Sequence, residues 1–140
     1  MDRVSKEKRS DIMSRVRSKN TKPEEMVRKY LFSRGFRYRK NDGRYPGKPD
    51  IVLPKYKTVI FIHGCFWHQH PGCKAARIPD TNSEFWKSKF EKNIARDVKE
   101  KRELEEAGWK VIVLWECEIS TKKKREIRLP ALEDEIKSQL

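Results

Sequence analysis

The stretch VIFIHGCFWHQHPGC, from Val59 to Cys73, constrains this chain more than any other. It holds all three histidines of the protein, His63, His68 and His70, and two of its three cysteines, Cys65 and Cys73. Its first part is β-branched and aromatic and follows the turn-like Pro54-Lys-Tyr-Lys, so it reads as a strand. Gly64, Pro71 and Gly72 break any regular ladder after it, so its second part reads as a loop. A short apolar strand therefore delivers metal-ligand and acid/base side chains to one edge of the fold.

Cys65, His70 and Cys73 fall in a C-x4-H-x2-C arrangement of the ligands that zinc prefers in four-coordinate structural sites. Cys117, after the apolar run Val111 to Trp115, completes a Cys3His set if that run is a strand beside the first. The competing reading is that of small buried thiols and a solvent-facing histidine.

A chain of 140 residues makes one domain with a single core. Its 34 Lys and Arg against 21 Asp and Glu, a net charge of +13, point to a polyanionic partner. No apolar run reaches the length of a membrane span, and the opening MDRVSKEKRSD has no apolar signal core, so the expected location is the reduced cytoplasm. There an odd number of cysteines favours metal over disulfides.

Residues 1–20 form a basic arm, with seven basic side chains against three acidic and only Val4, Ile12, Met13 and Val16 apolar. It reads as a short helix that orders on nucleic acid or as a solvated tail. Thr21 and Glu24 bracket a capping box that opens a helix with Met26, Val27, Tyr30 and Leu31 on its apolar face and Gly35 at its end. Short strands are expected at Phe36–Tyr38 and Ile51–Leu53, and a third from Thr58. Asn82 or Ser83 then caps a long helix carrying Phe85, Trp86, Phe90, Ile94, Val98 and Leu104, and Gly108 ends it. Trp109–Trp115 is the last strand. Ser120–Arg128 reads as a basic linker before a terminal helix with Leu129, Leu132, Ile136 and Leu140 on one face. The expected order is αβββαβ in a core at 21–118, with the linker and terminal helix at 119–140.

That order lets Asp50, at the start of the second strand, converge with the histidines at the end of the third. A hard carboxylate with room for water and phosphate oxygens suits Mg²⁺, which would polarise a scissile phosphate. His68 can then take a proton from an attacking water near neutral pH. The alternatives are that Asp50 is only a turn residue and Glu24 only part of the capping box.

Gly47-Lys-Pro-Asp50, FIHGCFWHQH with Cys73, Glu84-Phe-Trp86, Lys92-Asn93 with Arg96-Asp97, and Gly108-Trp109 through Trp115-Glu-Cys117 together resemble the Vsr endonucleases of very-short-patch mismatch repair. The resemblance covers roughly residues 9–118 in several separated motifs. It implies a restriction-endonuclease-like αβββαβ core, its mixed sheet flanked by helices, with a structural zinc. It also implies a Mg²⁺-dependent nick in one strand of double-stranded DNA, 5′ of the thymine of a T·G mismatch.

By the same resemblance, Asp50 is the magnesium-binding acid, together with the backbone carbonyl at Ile62, and His68 works on the water with Glu24 assisting. His63 and Asp97 take supporting roles, and Cys65, His70, Cys73 and Cys117 hold zinc. Phe66, Trp67 and Trp86 enter the base stack beside the mismatch, while Met13 and Val16 approach from the other groove. A monomer is expected, working at the bacterial nucleoid with mismatch-repair proteins downstream. Ile62 departs from the threonine of the best-known members, which keeps the backbone contact and loses any side-chain role. The Pro71-Gly72 pair departs as well. The rival from another class is a non-cleaving zinc DNA-binding module in which Asp50 and His68 are idle, and within the enzyme class a nicking nuclease without mismatch preference.

Overall fold

A computed structural model describes residues 21–138. Met13, Val16 and Leu140 lie outside the described residues. The order is α1 (Lys22–Ser33), β1 (Arg39–Lys40), β2 (Ile51–Leu53), β3 (Thr58–His63), α2 (Ser83–Glu106), β4 (Lys110–Trp115) and α3 (Lys122–Lys137). Short 3-10 turns at Pro54–Tyr56 and Glu116–Ile119 follow β2 and β4.

The sheet order is β1-β2-β3-β4, antiparallel except for the parallel pair β3/β4. A parallel pair needs a crossover, and α2 supplies it. All six residues of β3 are buried, as expected of a strand paired on both edges and covered on both faces. Side-chain alternation then assigns the faces. Ile60, Ile62, Ile112 and Leu114 pack with Val27 and Leu31 of α1 and Leu129, Leu132 and Ile136 of α3. Val59 and Phe61 point the other way, onto Leu104 of α2, with Val111 and Val113 beside them. Each fully buried aliphatic contributes about 1.5–3 kcal/mol.

Three boundaries differ from expectation. Thr21 stands at the N-cap of α1 without a side-chain cap bond, so the expected capping box is not made. Pro23 and the acidic Glu24 and Glu25 favour the first turn instead. At the other end Gly35, at φ +89°, lets the Phe36 N–H donate back to the Leu31 carbonyl at 3.0 Å. That draws Phe36 into the core, and the strand begins later, at Arg39 rather than Phe36. Finally, α3 starts inside the stretch read as a basic linker, because Thr121 Oγ1 accepts from the Lys124 N–H at 3.2 Å and lysines are good helix formers. Helix α3 is tied to α1 through buried Glu133, which accepts from Tyr30 Oη, Arg34 Nε and Lys137 Nζ at 3.1, 2.9 and 2.7 Å.

Candidate active site and metal centre

The loop after β3 is held by one stripe of α2. Ser83, Trp86, Phe90, Asn93, Asp97, Glu100 and Leu104 follow a 3-4-3-4 spacing and are the half-buried or buried positions of that face. Three of them grip three successive loop residues. The Phe90 ring meets Phe66 edge-on at 5.1 Å, Asn93 Nδ2 donates to the Trp67 carbonyl at 3.0 Å, and Asp97 Oδ2 lies 2.6 Å from His68 Nδ1. With Nδ1–H donated to the carboxylate, the His68 Nε2 lone pair is the one left for a proton.

His63, the last residue of β3, stacks flat on His68, with ring centroids 3.8 Å apart and planes 4° off parallel. Burial pushes the His63 imidazole down to about 4, His68 beside it acts in the same direction, and Asp97 opposes both. It is therefore a neutral ring at working pH. Ligand atoms of His63, His68 and Asp97 lie within 4.8 Å of one another. Yet ring lone pairs lie in the ring plane, and two parallel rings cannot both aim at an ion ~2.0–2.1 Å away.

Opposite this pair stands Asp50, whose Oδ2 accepts from the Ile62 N–H at 2.6 Å. Burial pushes its carboxyl up to about 7 against the Ile62 hydrogen bond, and the Glu24 carboxylate adds to the rise. Glu24 itself is buried, with the Arg28 guanidinium 3.5 Å away. Asp50, Glu24, His63, His68, Asp97 and Glu116 line one open cleft of about 400 Å³. Its buried, partly protonated carboxyl group beside further carboxylates is a donor set that a hard divalent cation would neutralise.

Behind this cleft, Cys65, His70, Cys73 and Cys117 bring their ligand atoms within 4.8 Å of one another. His70 Nδ1 is 3.7 Å from Cys65 Sγ and 3.3 Å from Cys117 Sγ. A tetrahedral zinc with ordinary bond lengths puts sulfur and nitrogen ligands ~3.5 Å apart, so the four residues fit such an ion. Burial pushes the Cys65 thiol up to about 12, while the Ala75 N–H draws the Cys73 thiol down. A bound cation removes the first cost by holding the thiolate. The loop closes on itself through His68 N–H to the Gly64 carbonyl at 3.1 Å and His70 N–H to the Cys65 carbonyl at 3.0 Å.

A family model described as DNA mismatch endonuclease Vsr matches residues 1–74. The chain is 58% identical over 130 residues to the type II nicking enzyme V.NmeAIP of Neisseria meningitidis, covering 93% of this chain and 92% of that protein. Identity to the type II nicking enzyme V.XorIIP of Xanthomonas oryzae is 46% over 128 residues, 91% and 93% of the two chains. Identity to the DNA mismatch endonuclease Vsr of Escherichia coli K12 is 39% over 116 residues, 83% and 74%. The chain belongs to the Vsr family.

As a Vsr-family member the chain is a DNA endonuclease, a phosphodiester hydrolase. No helix among the described residues is long and apolar enough to cross a membrane. The cleft brings together Asp50, Glu24, His63, His68 and Asp97, and the cluster behind it brings together the four cysteine and histidine residues. Phe66, Trp67 and Trp86 form one half-buried aromatic cluster around buried Phe90, with centroid separations of 5.1–6.0 Å. Only Trp67 of those three lines the cleft.

Sequence reasoning gave no role to Glu116, Glu100, Lys89 or Arg96, all of which line the cleft. For Glu116 a signal was available: it precedes Cys117, and the strand that delivers a metal ligand delivers its neighbour beside it. Burial raises the Glu116 carboxyl, with His68 opposing and Glu24 adding.

Proposed function

We propose that this Vsr-family endonuclease nicks one strand of duplex DNA with Mg²⁺, and that a T·G mismatch, cut 5′ of its thymine, is the preferred substrate. The observation that carries the nicking is the His68–Asp97 pair facing Asp50 across one cleft. The element order and mixed sheet support a restriction-endonuclease-like core in a single nuclease domain. Asp50 and the Ile62 backbone would hold the cation, with Glu24 beside them. When bound, that cation supplies Lewis acidity to the phosphate and charge to the leaving oxygen.

His68 takes the proton of the attacking water at Nε2 while Asp97 keeps the ring oriented, a contribution of about 10²–10⁴-fold. Neutral His63 holds the plane of that ring. The water oxygen bonds to phosphorus as the phosphorus–oxygen bond to the leaving strand end breaks, solvent protonates the leaving oxygen, and a monomer with one such cleft leaves the second DNA strand intact. Zinc at Cys65, His70, Cys73 and Cys117 would be structural. A monomer in a reducing cytoplasm, feeding nicked DNA to repair proteins, is the setting this implies.

The two most identical relatives described above are named as nicking enzymes, which favours nicking without a stated mismatch requirement. The aromatic cluster favours the T·G reading. Separating a base step costs a few kcal/mol, aromatic stacking returns ~1–3 kcal/mol per base, and a wobble pair is already poorly stacked. End-labelled duplexes, matched or carrying one T·G pair in varied contexts, test both parts. One strand should be cut, the mismatched duplex faster, and Trp67→Ala should lose that ratio while keeping its zinc and most of its affinity. Equal rates on the two duplexes leave the broader nicking reading, and double-strand cleavage or no cleavage in any context removes both.

A further inference from the structure

Four rings connect the metal cluster to the catalytic histidine. The parallel register of β3 and β4 places Trp115 directly across from His63. The indole of Trp115 lies flat on His70, centroids 4.2 Å apart and planes 10° off parallel. It meets His63 edge-on at 5.2 Å and 75°. His63 in turn lies flat on His68 at 3.8 Å. The pile therefore runs His70, Trp115, His63, His68, from a Cys/His cluster at one end to the Asp97-bound imidazole at the other.

We propose that Trp115 is a positioning residue that transmits the rigidity of the Cys65/His70/Cys73/Cys117 centre to the His63–His68 pair and so fixes the plane of the His68 ring. The proposal rests on the reading of His68 as the residue that handles the proton. Its physical ground is that a single hydrogen bond at Nδ1 leaves the ring free to swing about the line to Asp97. A flat partner removes that freedom, and His63 is the flat partner. His63 sits at the end of its strand, and its own ring contacts are Phe61, His68 and Trp115. Trp115, two positions before the ligand Cys117, is backed by the ring of His70 in the metal knuckle. An aliphatic side chain at this position packs there without presenting a flat face to His70 or to His63.

The test uses the full-length, zinc-loaded protein with isotopically labelled histidine. Three histidines in the chain give three resolvable sets of ring signals. Trp115→Leu should retain zinc and DNA affinity and move the ring signals of His63 and His70, which touch the indole, and also those of His68, which does not. Its single-turnover nicking rate should fall about tenfold with KM unchanged, and Trp115→Phe should recover most of that loss. His70→Cys approaches from the other end: it leaves a four-cysteine zinc site but removes the stacked face, and it should move the His68 signals in the same direction. This second variant decides the matter if the leucine variant fails to fold. His68 signals unmoved in both variants, or a leucine variant that nicks at the wild-type rate, would overturn the proposal. If the wild-type protein nicks no duplex, the functional reading fails, and the ring signals still decide whether Trp115 couples the two sites.

Discussion

Asp50→Asn should stabilise the protein while abolishing nicking. The Asp50 carboxyl rises from 3.8 to about 7, with burial the main cause and Glu24 contributing. An acid whose folded value is raised contributes full stability below its unfolded value and loses it as pH climbs through the folded one. The window is therefore pH 3.8 to about 7. Above it, about 4 kcal/mol is the ceiling for the cost of the buried charge, and about 2 kcal/mol is expected once the water of an open cleft is counted. Asparagine keeps an oxygen to accept from the Ile62 N–H and carries no charge. In zinc-loaded protein without added Mg²⁺, the variant should melt roughly 5–10 °C higher at pH 8. That gap should shrink to less than half by pH 5, where the folded carboxyl is protonated. Saturating Mg²⁺ should raise the wild-type Tm and leave that of the variant nearly unmoved. The burial of neutral His63 is common to both proteins and cancels in the difference. An asparagine variant less stable than wild type at pH 8, or a gap independent of pH, would show that the Asp50 charge is already compensated in the cleft.

Cys117→Ser should lose metal and stability together, since binding energy at a structural zinc site is folding energy; zinc-free wild-type protein that is folded and active would contradict this. Asp97→Asn should cut the nicking rate by ~10-fold or more and His68→Ala by ~10²-fold or more, with duplex affinity within a factor of two or three of wild type. Gel-shift and single-turnover assays separate those two quantities. Gly47→Ala should cost about 1–3 kcal/mol, because Gly47 sits at φ +74° and a Cβ there would collide with the Glu100 carboxylate. Adding Glu100→Ala should return only the part due to collision, so a double variant as stable as wild type would mean that the backbone strain is negligible.

The strands were legible where the chain is most apolar. β3 is read correctly because Thr58-Val-Ile-Phe-Ile is β-branched and aromatic, and it lies buried at the centre of the sheet. The start of α3 was not legible, since a run of lysines satisfies both a solvated linker and a helix face. The difference is a single side-chain bond from Thr121 to the Lys124 N–H. Pro130 lies inside that helix, at an exposed position. The Thr21–Glu24 pair was legible as a helix start but misattributed in its chemistry, because the spacing of a capping box is also the spacing that turns Glu24 toward the cleft.

Helix α2 shows why part of the site stays hidden in the sequence. Its apolar residues were read only as lying along it, and Phe85, Ile94 and Val98 are 60%, 42% and 59% exposed. The stripe that faces the fold is Phe90, Asn93, Asp97, Glu100 and Leu104, apolar at its ends and polar in the middle. A hydrophobicity pattern finds the face that meets a dry core, and here the middle of the helix meets a wet cleft and a loop of hydrogen-bonding groups. Its amide is buried and its Asp97 carboxylate half-buried because the loop supplies their partners: Asn93 has the Trp67 carbonyl and Asp97 has His68. Polar residues at heptad spacing beside a histidine-rich loop are therefore themselves a signal of a cleft wall. In this chain that signal, followed from Asn93 to Asp97 and on to Glu100, would have led to the cleft from the helix side, independently of the metal ligands that led to it from the strand.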